Sequence, residues 1–180
     1  TSLKYLESLS YQLFDDPLRF DGRGLSLDNS SYYYGPRVVT FGIGGASPDA
    51  VDSDVVLHEL GQPLHAFDAD KIRGNKIVVR TLPEDSKFST LDKTERDIRA
   101  GKDLMICDGE GPVAIGGIIG GLDSAVTEGT KNIFLESAYF TPSGIRQSAS
   151  HFGLKTDASF RFERGTDPNM PLTAALRATA

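Results

Sequence analysis

Residues 132–140 read NIFLESAYF and decide the fold, since they form a short, strongly apolar run that predicts a buried strand over Asn132–Ser137. Alternation along a strand places Phe134, Glu136 and Ala138 on one face. The carboxyl of Glu136 therefore points where its apolar neighbours point. A carboxyl in such a place needs a partner. Two alternatives stay open: a salt bridge to Arg161 or Arg164, and a hydrogen bond to a ligand hydroxyl.

Outward from this stretch, strands come first and helices follow. Further strands are predicted over 38–43, 76–82, 103–107 and 113–115, with a weak hairpin over 87–99. After residue 140, Thr141-Pro142 begins a helix that Gly153 ends, a second runs from Asp157 to Arg164, and a third starts after Asp167-Pro168. This order predicts an α+β fold, with a β-rich, sandwich-like core of mixed strands and peripheral helices.

Three other stretches carry candidate catalytic or binding residues. AIGGIIGGLDS (114–124) lacks the Lys-Ser/Thr of a phosphate loop, so it is either a glycine-rich hairpin or a slot for a ligand. GLKTDASFRFERG (153–165) is explained by a capped helix alone. HELGQPLHAFDAD (58–70) places His65 after a Gly-Gln-Pro turn, where local chemistry favours a hydrogen-bonded structural histidine over a proton carrier.

Composition excludes several classes of protein. The single Cys107 and three histidines form no metal-ligand cluster, so no metal site is expected, and no apolar run is long enough for a membrane span. The net charge of −6 argues against a free-standing nucleic-acid binder. We expect a cytoplasmic protein without a membrane partner.

Five motifs occur in a specific order: ELGQPLHAFDADKI, TLD, AIGGIIGGLDSAVTE, FLESAYF and GLKTDASFRFERGTDP. Together they resemble the B3/B4 editing domain of bacterial-type phenylalanyl-tRNA synthetase β subunits. The resemblance covers about residues 55–170. It implies that residues 25–168 are the editing domain, that 1–24 are a helix and linker from a preceding region, and that 169–180 begin a helix leading to the next domain.

The resemblance also implies a function. The domain would hydrolyse tyrosine wrongly attached to phenylalanine tRNA, within an ATP-dependent assembly of two α and two β subunits. Its partners would be the α subunit and phenylalanine tRNA, with no cofactor in this domain and with ATP and magnesium bound elsewhere. The alternative is a non-catalytic architectural domain that positions the tRNA.

Site residues follow from the resemblance one by one. Glu136 matches the glutamate that recognises the tyrosine hydroxyl, and Gly120 matches a glycine that leaves room for the ring. Thr156 and Ala158 match pocket residues, and His65 matches a histidine near the ester, so that His65 and Glu136 form the catalytic set. Since no nucleophile–histidine arrangement is visible, we expect a positioned water to attack the ester.

Three departures from the family pattern stand out. Between Pro48 and Val55 this chain has only DAVDSD, where the family has a helix and a strand. SHFGL (150–154) replaces an arginine-rich RRHGL, which weakens the expectation of phosphate contacts there. Asp92-Lys93 stands where the family has Asp-Gly, which affects only the geometry of a hairpin turn.

Overall fold

The computed structural model describes residues 18–20, 25–27, 38–43 and 53–178. The expected helix near the start of the chain lies outside these residues, as does most of the segment on either side of Pro48. The described strands, in chain order, are β1 (Leu18–Phe20), β2 (Leu25–Leu27), β3 (Val38–Ile43), β4 (Leu64–Asp68), β5 (Lys76–Thr81), β6 (Ser86–Ser89), β7 (Glu95–Ile98), β8 (Leu104–Cys107), β9 (Pro112–Ile115), β10 (Ile119–Gly120) and β11 (Ile133–Ala138). The helices are α1 (Ser53–Leu60), α2 (Pro142–Phe152), α3 (Asp157–Phe162) and α4 (Met170–Ala178).

The described strands form three sheets. A six-stranded sheet has the order β10-β9-β8-β5-β1-β2, a three-stranded sheet has the order β3-β11-β4, and β6 pairs with β7 as a hairpin. Every described strand pair is antiparallel. The predicted α+β class is therefore confirmed.

Strand β11 is the centre of the three-stranded sheet, and both of its faces are covered. Phe134 and Ala138 belong to the main core, which also contains Val78 of β5 and Ile106 of β8. Leu135 belongs to a second core on the opposite face, where it meets residues of α1 and α4. The three-stranded sheet is thus a middle layer, with the larger sheet on one side and two helices on the other.

The helix ends follow their capping residues. Pro142 occupies the first turn of α2, and Gly153 ends the helix in the left-handed conformation with φ of 64°. Thr156 caps α3 in a reciprocal capping box with Ser159. The predicted helix that begins at Pro142 and the predicted short helix after Asp157 are both confirmed.

The stretch 58–70 differs from the sequence-based picture of a turn with flanking residues. It contains the end of α1 and all of β4. Gly61, at φ of 71°, ends α1 with a bond from its N–H to the Leu57 carbonyl at 3.0 Å. Strand β4 was missed because it is short and has apolar residues on both faces, Leu64 and Ala66 on one and Phe67 on the other, so it shows no clear alternation for sequence analysis to detect.

Candidate functional site

The three-stranded sheet brings His65 next to Glu136. In the register of β4 and β11, His65 lies directly opposite Glu136, and Phe67 lies opposite Phe134. Residues directly opposite in antiparallel strands share a face and have Cβ atoms about 5 Å apart. The two titratable side chains therefore project from the same patch of sheet, toward the main core.

Gln62 fixes this register. Its side chain is fully buried, and its Nε2 donates to the Ala138 carbonyl at 2.7 Å. Ala138 lies at the end of β11, next to the point where β4 begins after Pro63. The Gly-Gln-Pro turn is thus tied to the central strand by a side-chain bond, and this tie positions His65 two residues into β4.

Gly120 closes the site from the larger sheet. A Cβ on Gly120 would lie 2.6 Å from both Cε1 and Nε2 of His65, and 2.9 Å from Leu91 Cδ1. Since real Cβ atoms do not approach other atoms so closely, a side chain at residue 120 would displace the imidazole. At the neighbouring Gly121 a side chain is excluded by the backbone, because a Cβ there would lie 2.5 Å from the Val113 carbonyl oxygen of β9.

Glu136 is a buried acid that has no side-chain partner among the described residues. Its side chain is 7% exposed, and among the described residues no hydrogen bond or ion pair reaches its carboxyl. Burial alone raises its pKa to about 8. At neutral pH the group is therefore a neutral acid that can both donate and accept a hydrogen bond.

Of the two alternatives for Glu136, a salt bridge to Arg161 or Arg164 is not found among the described residues. Arg164 instead pairs with Glu163 at 2.6 Å and stacks on Phe160, with its guanidinium carbon 3.5 Å from the ring centroid. Arg161 points toward the turn before β4, where its Nη1 lies 3.9 Å from the Cβ position of Gly61. The salt-bridge interpretation of Glu136 is therefore wrong.

His65 is half-buried and contacts an aromatic ring. Its imidazole meets Phe67 edge to face with ring centroids 4.6 Å apart. Burial lowers the pKa of His65 to about 4, and no hydrogen bond to its ring nitrogens is found within the described part of the chain. Among the described residues the expected hydrogen bond of a structural histidine is therefore absent, and with a pKa of about 4 the imidazole is neutral at pH 7.

Helix α3 meets the site through its cap. Thr156 Oγ1 donates to the Ile118 carbonyl at 2.8 Å, and Ile118 lies two residues before Gly120. Ala158 is half-buried and packs against the main core. The structure thus brings His65, Gly120 and Glu136 into one cluster and joins Thr156 to that cluster through β10. Ala158 is placed on the same helix, with no direct contact to His65 or Glu136 among the described contacts.

These features match a known family. The model of the B3/4 domain family matches residues 49–180. The chain belongs to the B3/4 domain family. The resemblance inferred from the five motifs is confirmed by this match and by the named relatives.

Curated relatives of this B3/4 domain are phenylalanine–tRNA ligase beta subunits. That of Bacteroides thetaiotaomicron is 55% identical over 117 residues, which cover 65% of this chain and 14% of the relative. That of Salinibacter ruber is 44% identical over 156 residues, which cover 87% of this chain and 19% of the relative. The chain therefore spans less than a fifth of these relatives.

A solved structure is also similar to this B3/4 domain. It is an N-terminal fragment of the phenylalanyl-tRNA synthetase beta-subunit from Pyrococcus horikoshii, with a TM-score of 0.44 and 18% identity. The similarity covers 66% of this chain and 45% of that chain.

Leu91 lies beside the candidate site and was not singled out by sequence analysis. It lies at the tip of the β6–β7 hairpin, where its N–H donates to the Gly120 carbonyl at 3.0 Å, and it is 38% exposed. Its Cδ1 lies 2.9 Å from the Cβ position of Gly120, which the His65 ring also approaches. An apolar residue left partly exposed in a hairpin loop was the available signal.

Over the described residues, no group of three or more His, Cys, Asp or Glu side chains is arranged to hold a metal ion. Among the same residues, no helix is long and apolar enough to cross a membrane.

Proposed function

We propose that this B3/4 domain is the editing module of a phenylalanine–tRNA ligase beta subunit and hydrolyses tyrosine esterified to phenylalanine tRNA. In this proposal it works in the cytoplasm, in an assembly of two α and two β subunits whose ATP and magnesium sites lie elsewhere. The observation that carries the proposal is the unpartnered, buried carboxyl of Glu136 beside His65 and Gly120.

The need for such a site is physical. An apolar pocket for phenylalanine rejects a substrate that only adds a hydroxyl by about 10²-fold. A second site that selects for the hydroxyl improves accuracy, because phenylalanine would leave a buried polar group unpaired at a cost of roughly 1–3 kcal/mol. Glu136, with one donor and one free acceptor in its neutral form, suits a phenol hydroxyl, which also both donates and accepts.

The surroundings of His65 support the same assignment. Its ring occupies the space that a side chain at Gly120 would fill, and it contacts the aromatic ring of Phe67 edge to face. Tyrosine has an aromatic body with one polar tip, which suits apolar side chains lying beside a buried acid.

For the chemical step, a water oxygen attacks the ester carbonyl carbon and the bond from that carbon to the ribose oxygen breaks. The products are tyrosine and the free tRNA hydroxyl. A histidine whose pKa is about 4 is a weak proton acceptor at pH 7. We therefore assign His65 to positioning the ester or the water, through the ring nitrogens that have no bond to described residues.

The experiment is deacylation of tyrosyl-tRNA(Phe) by the complete synthetase that contains this chain. We expect Glu136→Ala and His65→Ala each to slow hydrolysis by at least tenfold, and Glu84→Ala, which changes an exposed glutamate, to leave it unchanged. If both site variants hydrolyse at the unmodified rate, the proposed site is wrong and an architectural role remains.

A further inference from the structure

Three residues beside the proposed site are not used by it: Phe160 and Arg161 on the outer surface of α3, and Arg164 two residues beyond the end of that helix. Thr156, which binds the Ile118 carbonyl, accepts the Phe160 N–H at 2.9 Å through its own carbonyl. Phe160 is thus one helical turn beyond the residue that joins α3 to β10. Arg161 reaches the Gly61 turn that leads into the strand of His65. We call these three residues the α3 surface.

Arg161 differs from the other described arginines because its guanidinium has no partner among the described residues. Other arginines in residues 53–178 have partners: five are in ion pairs, Arg146 donates to the Glu163 carbonyl, and Arg80 interacts with Cys107. The half-buried Arg161 side chain has no hydrogen bond or ion pair with any described residue. Asp157 lies one turn before it but does not pair with it. A guanidinium held this way in an acidic chain is suited to an anionic ligand.

Phe160 and Arg164 form an exposed stacking pair. Phe160 is 51% exposed, and the Arg164 guanidinium lies over its ring at 3.5 Å. The side chain of Arg164 is held by Glu163 and by the Phe160 carbonyl, which its Nη1 contacts at 2.8 Å. Unpaired RNA bases stack on aromatic rings and on guanidinium planes. This pair favours a flat base over an acidic protein segment as the ligand.

We propose that the α3 surface binds the 3′-terminal nucleotides of the aminoacylated RNA whose ester lies at His65. Arg161 contacts a backbone phosphate and the Phe160–Arg164 pair stacks with a base. The inference rests on the proposed function and deepens it, because it assigns a subsite for the RNA end rather than for the amino acid.

The test measures deacylation of tyrosyl-tRNA(Phe), supplied in solution, by the complete synthetase. We expect Arg161→Gln to raise KM about tenfold with little change in kcat, because a charge-assisted contact made equally in substrate and transition state is lost. The slope of log(kcat/KM) against log salt concentration should shrink by about 0.7, the value for one phosphate contact on a single strand. Arg161→Lys should restore most of the salt dependence. Phe160→Leu should raise KM roughly tenfold and leave the salt slope unchanged.

Arg177→Gln is the matched control, since Arg177 pairs with Glu59 on the opposite side of the three-stranded sheet. Equal KM and equal salt slope for Arg161→Gln and Arg177→Gln would overturn the proposal. If the unmodified enzyme does not hydrolyse the ester, the proposed function fails. The α3 surface is then tested by binding of tRNA(Phe) carrying an amide-linked tyrosine: weaker binding by Arg161→Gln than by Arg177→Gln supports it, and equal binding refutes it.

Discussion

Two neighbouring residues, Glu136 and His65, are neutral at pH 7 for the same reason. Burial raises the pKa of the acid to about 8 and lowers the pKa of the imidazole to about 4. Neutral groups cost less to bury than an ion pair and leave hydrogen-bonding capacity free. The site therefore has polarity without charge, which suits recognition of a phenol hydroxyl.

The raised pKa of Glu136 makes stability depend on pH. The folded-state pKa lies above the ordinary value of 4.5. The free energy of unfolding is therefore highest below pH 4.5, where the acid is protonated in both states, and it falls as the pH rises toward 8. We expect the free energy of unfolding of Glu136→Gln to rise relative to that of the unmodified chain between pH 5 and pH 8, by roughly 3–4 kcal/mol. Urea unfolding at the two pH values measures this, with Glu84→Gln as the exposed control. Parallel pH dependence of the unmodified chain and Glu136→Gln would show that the acid is not buried as described.

Gly120 offers a second test at this scale. Gly120→Ala places a methyl group 2.6 Å from the His65 ring and should displace it. We expect the complete synthetase to lose at least tenfold in tyrosyl-tRNA deacylation, with unfolding free energy changed by only about 1 kcal/mol. Gly111→Ala, where a Cβ meets nothing within 4 Å, is the control and should keep full activity. Full activity in Gly120→Ala would remove the glycine from the site.

Part of this residue-scale picture was predictable. Alternation in NIFLESAYF correctly placed Phe134, Glu136 and Ala138 on one buried face. The missing partner of Glu136 was not predictable, because the positions of Arg161 and Arg164 depend on how α3 packs. The site assignments of His65, Gly120, Thr156 and Ala158 came from the family resemblance and stay predictions until the variants are measured.

At the scale of elements, the tip of the β6–β7 hairpin contains a residue with a strained backbone conformation. Lys93 has φ of 61°, in the left-handed region that favours glycine, and its side chain is exposed. We expect Lys93→Gly to stabilise the chain by about 0.5–1 kcal/mol in urea unfolding, because relief of strain exceeds the added entropy of the unfolded chain. Lys102→Gly, at an exposed residue without positive φ, should destabilise it. A loss of stability in Lys93→Gly would contradict the strain.

Elements were predicted well where local chemistry defines their ends. The α2 boundaries follow from Pro142 and Gly153, which act through their own backbones. Strand β4 gave no such signal, since its two faces are buried against different cores and its register depends on Gln62 reaching Ala138, 76 residues away. Contacts at that separation leave no local pattern in a single sequence.

At the scale of the whole molecule, a buried carboxylate ties the larger sheet to α2. Asp103 accepts from Arg99 Nη2 at 2.7 Å and from Ser148 Oγ at 2.6 Å, and these bonds keep its pKa below the usual range despite its burial. We expect Asp103→Asn to cost about 2 kcal/mol in urea unfolding, because the amide cannot accept at both positions. Asp123→Asn, at an exposed residue, is the control. Equal stability of the two variants would mean that the tie contributes little.

The layered arrangement itself was only partly predictable. A run of strands followed by helices indicated the α+β class, and that class is confirmed. Which strands share a sheet was not indicated, since β11 pairs with β3 and β4, both distant in sequence. The site depends on this pairing, because it places His65 opposite Glu136, and packing of the larger sheet then brings Gly120 against the His65 ring.

The central claim is that Glu136 selects for the hydroxyl of tyrosine. Its most direct test is the ratio of kcat/KM for tyrosyl-tRNA(Phe) to that for phenylalanyl-tRNA(Phe), measured as hydrolysis by the complete synthetase. The account predicts a large ratio for the unmodified enzyme and Glu84→Ala, and a ratio at least tenfold smaller for Glu136→Ala, since the cost of an unpaired buried group disappears. An unchanged ratio in Glu136→Ala would contradict the account.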